Sequence, residues 1–196
     1  MPTEQIFTRI RRAMMLEASA YEEARDDATF TPYALVAAAV AVILAAVGAW
    51  LWAETVLETT PDGWFVDTIL LGTLFSAVLL LVGIGVMYVV LTRALGETVA
   101  SPDGFLRVAL LGHLGYAVSL LIFIPELGFA FALLAMAFVF YDTSFGIRSA
   151  YPAMRQMNVV IAVTAGLAAW MIILALFSSF PDNNWATGPF VYSLFE

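Results

Sequence analysis

The sequence predicts an all-α membrane protein, a polytopic bundle of five transmembrane helices preceded by an amphipathic cytoplasmic helix. Of its residues 62% are hydrophobic and 12% are charged, whereas soluble domains average about 45–50% apolar and about 25% charged residues. Long apolar runs recur along the chain and exceed what one soluble core buries, so the surrounding solvent must be lipid. All eight cations fall in segments that five membrane crossings place on one side.

Residues 1–30 are predicted to be a cytoplasmic segment that forms one amphipathic helix over residues 4–27. Ile6, Ile10 and Met14 recur every four residues, with arginines in the first half and acids in the second. Such a helix suits the surface of an anionic leaflet, and a solvated or partner-packed helix is an equal alternative. The segment lacks the apolar core of a cleavable signal, so the first span is expected to be an uncleaved anchor.

The spanning domain is predicted to cover residues 31–180. Thr31-Pro32 and Ser101-Pro102-Asp103 are typical helix starts, because the hydroxyl caps free N–H groups and proline fits the first turn. Residues 181–196 form an aromatic tail with Trp185, Phe190, Tyr192 and Phe195. The five predicted helices occupy about 33–53, 64–92, 104–123, 127–147 and 157–179.

The first span carries a row of alanines at every fourth position, Ala37, Ala41, Ala45 and Ala49. Small residues on one face allow two helix backbones to approach closely, which favours helix association inside lipid. We therefore expect this face to pack against protein and not against acyl chains.

Arginine placement predicts the orientation. Five spans put every arginine on one side, and positive charge collects on the cytoplasmic side of membrane proteins. The N-terminus is then cytoplasmic and the C-terminus extracytoplasmic. The arginines are Arg9, Arg11, Arg12, Arg25, Arg93, Arg107, Arg148 and Arg155.

The sequence lacks the residues that several kinds of chemistry require. The chain has no cysteine and no lysine, which excludes disulfides, thiolate metal sites and Schiff-base catalysis. It shows no glycine-rich phosphate loop, no catalytic motif of a known hydrolase and no basic stripe for nucleic acid. We expect no enzymatic activity, no cofactor and no nucleic-acid partner.

The candidates for function are three polar residues: His113, Asp142 and Arg148. His113, in the third span, suits a haem iron or a chlorophyll magnesium, and its commoner alternative is a hydrogen bond to a neighbouring helix. Asp142 lies inside the fourth span, where an acid points to a proton or cation path, or to pairing with Arg148 or His113. Ser119 lies six residues after His113, which is poor geometry for a nucleophile and its base on an α-helix.

Three stretches carry a family resemblance. An acidic segment runs straight into the first span as LEASAYEEARDDATFTPYALVAAAVAV. The third span and its hairpin read FLRVALLGHLGYAVSLLIFIPELG, and IRSAY is followed by MRQMNVVIAVTAGLAAW. Over about residues 10–180 this order resembles the Yip1 family in its prokaryotic form. The resemblance implies five spans, a cytoplasmic N-terminus and a prokaryotic inner membrane.

The sequence differs from the eukaryotic members of this family at one motif. Those members act in vesicle traffic and contact small GTPases, and they carry the motif DLYGP. That motif is absent here, and its nearest trace is Gly112, Gly115 and Tyr116. The difference argues against GTPase binding.

The sequence favours a non-enzymatic scaffold or accessory subunit of a membrane complex. Its expected partners are the lipid bilayer and other membrane subunits or a second copy of the chain. One alternative is a small transporter or channel that uses Asp142 and His113. Another is a subunit that holds a cofactor or pigment through His113.

Overall fold

The computed structural model describes residues 3–56 and 63–178, which form helices and no β-strand. Five helices are long and apolar enough to cross a membrane, which confirms the predicted all-helical fold with five such helices. We call them spans one to five, and the last continues to Ser178. They comprise Ala28–Val56, Trp64–Ala94, Pro102–Phe123, Gly128–Ala150 and Gln156–Leu174.

The N-terminal segment is not the single helix that was predicted over residues 4–27. It forms helix α1, Thr3–Met14, and helix α2, Ala18–Asp26. Leu16 separates them with a φ of 59°, a left-handed conformation that ends a right-handed helix. Tyr21 of α2 donates a hydrogen bond to the carbonyl oxygen of Ala13 at 3.0 Å. The two helices therefore fold back on each other, and we call them the N-terminal hairpin.

The two predicted helix starts have different outcomes. Ser101 caps span three as predicted, since its hydroxyl accepts a hydrogen bond from the amide of Gly104 at 3.2 Å. Span one begins earlier than predicted, with a 3₁₀ turn over Ala28–Phe30. Asp27 caps that turn by accepting from the amide of Thr29 at 3.0 Å, so Thr31 is not the cap.

Span three lies between spans one and four. Its first half, Pro102–Gly112, is α-helical, and its second half, His113–Phe123, is a 3₁₀ helix. Gly48 of span one lies so close that a Cβ there would clash with the carbonyl oxygen of Ser119. Span three is thereby held at backbone contact with span one.

Span two packs against span five and is irregular at both ends. It contains π-helical segments over Asp67–Gly72 and Val90–Ala94. Between them Gly83 faces Gly166 of span five, and a Cβ on Gly166 would lie 2.7 Å from the carbonyl oxygen of Gly83. The seam between these two helices therefore requires small residues on both sides.

Some predictions concern residues outside the part that the structure describes. The last residue of the predicted fifth span belongs to this group, as does the whole aromatic tail with Trp185, Phe190, Tyr192 and Phe195.

Candidate functional site

The alanine row of span one lies toward the interior of the bundle. Ala41, Ala45 and Ala49 are buried, and Ala37 is half-buried. The 3₁₀ half of span three is the main element packed against this helix. The row therefore sits where two backbones approach closely, as small side chains allow.

His113 is buried at the point where span three changes from α to 3₁₀ winding. Its Nδ1 donates a hydrogen bond to the carbonyl oxygen of Ala109, one turn earlier, at 2.7 Å. Its ring lies 6.2 Å from that of Trp170 on span five. One imidazole nitrogen is thus held by the histidine's own helix, while the ring packs against an aromatic neighbour.

Asp142 is 8% exposed and lies on the face of span four that α2 covers. One turn later, a Cβ on Gly146 would lie 2.5 Å from the ring of Tyr21. Burial raises the pKa of Tyr21, and the negative charge of Asp142 raises it further. Asp142 thus lies near the N-terminal hairpin, and it makes no ion pair with Arg148 or His113 within the described residues.

No hydrogen bond or ion pair joins His113 and Asp142 within the described residues. Their neighbours Gly112 and Thr143 meet where spans three and four cross, and a Cβ on Gly112 would lie 2.6 Å from the hydroxyl oxygen of Thr143. From that crossing His113 packs toward span five, while Asp142 lies toward the hairpin.

Arg148 stabilises the loop between spans four and five. Its Nη1 donates to the carbonyl oxygens of Pro152 and Met154. Both acceptors belong to the loop that follows Ala150, so the guanidinium ties this loop to the end of span four. Arg148 is therefore fixed in place by the loop and makes no salt bridge within the described residues.

Sequence reasoning missed Arg107, treating it only as a charge that borders a loop. It is 4% exposed and donates from Nε to Ala24 and from Nη2 to Arg25, both at 2.6 Å to carbonyl oxygens. Its Nη1 lies 3.1 Å from the hydroxyl of Thr31. The guanidinium thus caps the last turn of α2, where a positive charge also complements the helix dipole. An arginine five residues inside an apolar helix is the sequence signal for such a role.

Ion pairs join α1 to the acidic part of the hairpin. Arg9 lies 2.9 Å from the carboxylate of Asp27, and Arg12 lies 2.8 Å from that of Glu17. Arg12 also lies 3.0 Å from Glu23. The hydroxyl of Thr29 and the guanidinium of Arg9 hold the pKa of Asp27 below its ordinary value. Two of the three arginines that suggested an anionic leaflet are therefore neutralised within the hairpin.

The other two arginine-bearing loops meet at the same end of the bundle. Glu97 accepts hydrogen bonds from the amide of Arg155 at 3.1 Å and from Asn158 at 2.7 Å. These bonds lower the pKa of the Glu97 carboxylate, the first more than the second. Arg25 of the hairpin donates to the carbonyl oxygen of Ala150 at the end of span four. Contacts thus link the hairpin and both loops into one polar end.

One side of α1 presents apolar side chains without cover. Phe7, Met14 and Met15 are 68%, 61% and 64% exposed. Ile6 and Ile10 lie beside them and, with span one, enclose a groove of about 460 Å³. This groove lies between α1 and span one. It is therefore accessible from outside at the polar end of the bundle.

The 3₁₀ half of span three changes which residues share a face of the helix. In a 3₁₀ helix residues three apart lie above one another, and His113, Tyr116, Ser119 and Ile122 are all buried. His113 and Ser119 therefore share a face, two turns and about 12 Å apart. The Oγ of Ser119 is buried and has no hydrogen-bond partner among the described residues. The two side chains still lie too far apart to act as a base and a nucleophile.

Three comparisons place the chain against known proteins. No family model, no curated protein and no solved structure matched it. The resemblance to the Yip1 family stays a prediction that rests on the motifs quoted above.

Proposed function

We propose that the chain is a non-enzymatic integral membrane protein of the Yip1 type, which serves as a scaffold or accessory subunit of a membrane complex. The observation that supports this most directly is the uncovered apolar side of α1, where Phe7, Met14 and Met15 stand exposed. Contiguous apolar surface at the edge of a folded domain is typical of protein interaction sites. The partner is another membrane protein or a second copy of this chain.

The N-terminal hairpin is proposed to be cytoplasmic. The polar end of the bundle joins the hairpin to the loops after spans two and four through Glu97, Arg155 and Arg25. Clustered arginine at one end supports this orientation. Reporter fusions at Gly63 and at the C-terminus should both give an extracytoplasmic signal, and a cytoplasmic signal from either would contradict the proposed topology.

The placement of the buried polar residues favours a scaffold over a transporter. His113 is bonded within its own helix, and Asp142 lies beside the hairpin on another side of the crossing. A proton or cation path needs ionisable groups that follow one another through the membrane. In proteoliposomes we expect no proton or cation flux that Asp142→Asn abolishes. A flux lost in that variant would replace the scaffold with a transporter.

Site-specific photocrosslinking tests the scaffold directly. A photoreactive amino acid at Phe7 or at Met14 should give discrete protein adducts in native membranes. Leu74 of span two is the matched control, because it is an apolar side chain of similar exposure, 64% against 68% for Phe7. A control position that faces lipid should give lipid adducts only.

The adduct masses separate the outcomes. An adduct at twice the 21.3 kDa of one chain identifies a second copy, and any other discrete mass identifies a different subunit. If Phe7 and Met14 give only lipid adducts, as Leu74 does, then the side of α1 rests in the membrane and the scaffold function fails.

A further inference from the structure

A second opening lies between spans four and five, beneath α2, and we call it the interspan furrow. Its volume is about 560 Å³, within the range of about 300–1,000 Å³ typical of small-molecule sites. Its polar walls come from Glu22, Arg148 and Gln156, and its apolar walls include Phe140 and Val160. The furrow is thus polar at the end that carries the arginines and apolar toward the middle of the bundle.

Arg148 presents unused donors at the polar end of the interspan furrow. Its Nη1 is occupied by the carbonyl oxygens of Pro152 and Met154. Its Nε and Nη2 have no hydrogen-bond partner within the described residues, so three N–H groups remain. The loop carbonyls hold the guanidinium in one orientation, which leaves the edge that binds a phosphate through two parallel hydrogen bonds.

Glu22 lines the same furrow with the opposite charge. Its side chain is exposed and makes no hydrogen bond or salt bridge within the described residues. The carboxylate of Glu22 and the guanidinium of Arg148 are therefore not paired with each other. Each of the two has another opposite charge in its vicinity, Glu97 for Arg148 and Arg25 for Glu22, but forms no ion pair with it within the described residues. Two such charges along one furrow are complementary to a ligand that carries both an anion and a cation.

The deeper part of the furrow suits a hydrocarbon chain. From Arg148 to Phe140 the wall of span four extends over eight residues, or about 12 Å. Tyr141, Val159 and Val160 continue the apolar wall there. Halfway along, the Oγ of Ser144 is buried without a hydrogen-bond partner among the described residues, and an ester oxygen of a glycerolipid is a suitable partner for it.

We propose that the interspan furrow binds one phospholipid with an ethanolamine head group. The phosphate lies on Arg148, the ammonium lies near Glu22, and one acyl chain follows the apolar wall of span four. A basic pocket between transmembrane helices on the cytoplasmic side is a known kind of lipid head-group site. The acid beside the arginine selects a zwitterionic head group over a purely anionic one. This inference does not depend on the scaffold function, because it concerns a different face of the bundle.

Native mass spectrometry of the detergent-purified chain tests the site. Phosphatidylethanolamine and phosphatidylglycerol with identical acyl chains are added together, and the lipid retained by the protein is measured. We expect phosphatidylethanolamine to be favoured by about tenfold, the effect of one charge-assisted hydrogen bond. Glycerophosphoethanolamine, which has the same head group without chains, should not compete for the site.

Four variants assign the binding to the proposed residues. Arg148→Gln should weaken retention of both lipids by about tenfold or more, and Glu22→Lys should reverse the preference toward phosphatidylglycerol. A reversal of preference cannot come from misfolding, which would weaken both lipids together. Arg93→Gln and Glu4→Lys are matched controls, because they change exposed charges outside the furrow and should leave retention unchanged.

Three outcomes would overturn the proposal. The first is equal retention of the two lipids by the unchanged chain. The second is an unaltered preference in Glu22→Lys. The third is competition by glycerophosphoethanolamine as strong as by the full lipid, which would show that the furrow holds a free head group and no acyl chain.

Discussion

Helices α1 and α2 of the N-terminal hairpin are attached to the molecule by different forces. Helix α2 is fixed by the buried Arg107, which bonds to its terminal carbonyl groups, and by Tyr21, which packs against Gly146. Helix α1 is attached by the buried side chains of Ile6 and Ala13 and by ion pairs with partly exposed partners, such as Glu17, whose side chain is 47% exposed. Buried hydrogen bonds to a charged group are worth more than exposed ion pairs. Helix α2 is therefore an integral part of the bundle, while α1 is the more easily released of the two.

The largest effect is expected at Arg107. Arg107→Met keeps much of the side-chain volume but leaves the carbonyl groups of Ala24 and Arg25 without their donor, which should cost about 1–3 kcal/mol. Thermal unfolding in detergent measures the loss of overall stability, and hydrogen exchange of the α2 amides measures the loosening of that helix. Arg93→Met is the control, because Arg93 is exposed. Equal losses in the two variants would show that Arg107 does not anchor α2.

A smaller loss is expected at the contact between span four and α2. Gly146→Ala places a methyl group against the ring of Tyr21, and overpacking of this kind costs about 1–3 kcal/mol. We expect the lower end of that range, since a helix surface can shift slightly. Gly85→Ala is the matched control, because nothing lies within 4 Å of a Cβ there. Unfolding temperatures should fall for Gly146→Ala only; a similar fall in both variants would argue against the contact.

Helix α1 should respond weakly to the loss of the contacts of Arg9. Arg9→Gln removes the ion pairs with Asp27 and Glu23 and the contact with the ring of Phe30, and partly exposed ion pairs are each worth less than about 1 kcal/mol. Hydrogen exchange in α1 should quicken, while that in α2 stays unchanged. Raising the salt concentration should quicken α1 exchange in the unchanged chain and much less in the variant, because salt screens exposed pairs. Equal quickening in both helices would mean that the hairpin opens as one unit.

The smallest effect is expected on acidification. The pKa of the Asp27 carboxyl group lies below its ordinary 3.8 in the folded chain. The stability that the ionised Asp27 contributes to the fold is therefore complete above about pH 4, and it is lost as the pH falls through the lowered pKa. A spin label on Met15→Cys, the only thiol in such a chain, should remain ordered from pH 8 to pH 5 and gain mobility well below pH 4. Mobility that rises already near pH 6 would assign the change to another group.

Much of the fold could be predicted, because five apolar segments and capped starts such as Ser101 are local signals. The break at Leu16 was missed, since a left-handed leucine has no marker in the sequence. The roles of Arg107 and Asp142 were not predictable either. Both depend on α2 lying across spans three and four, which is a tertiary contact between segments more than 80 residues apart for Arg107. Spacing along an assumed α-helix did not show that His113 and Ser119 share a face, although the expectation of poor catalytic geometry for this pair is unchanged.

The 3₁₀ half of span three also determines how long this helix is relative to its neighbour, span four. At about 2.0 Å per residue for His113–Phe123 and about 1.5 Å for Pro102–Gly112, this helix of 22 residues reaches about 38 Å. Span four has 23 residues in α conformation and reaches only about 34 Å. Rewinding the 3₁₀ half as an α-helix would shorten span three by about 5 Å and draw the hairpin at Pro125 toward the membrane. The 3₁₀ conformation therefore makes span three the longer of the two neighbouring helices, although its sequence is one residue shorter than that of span four.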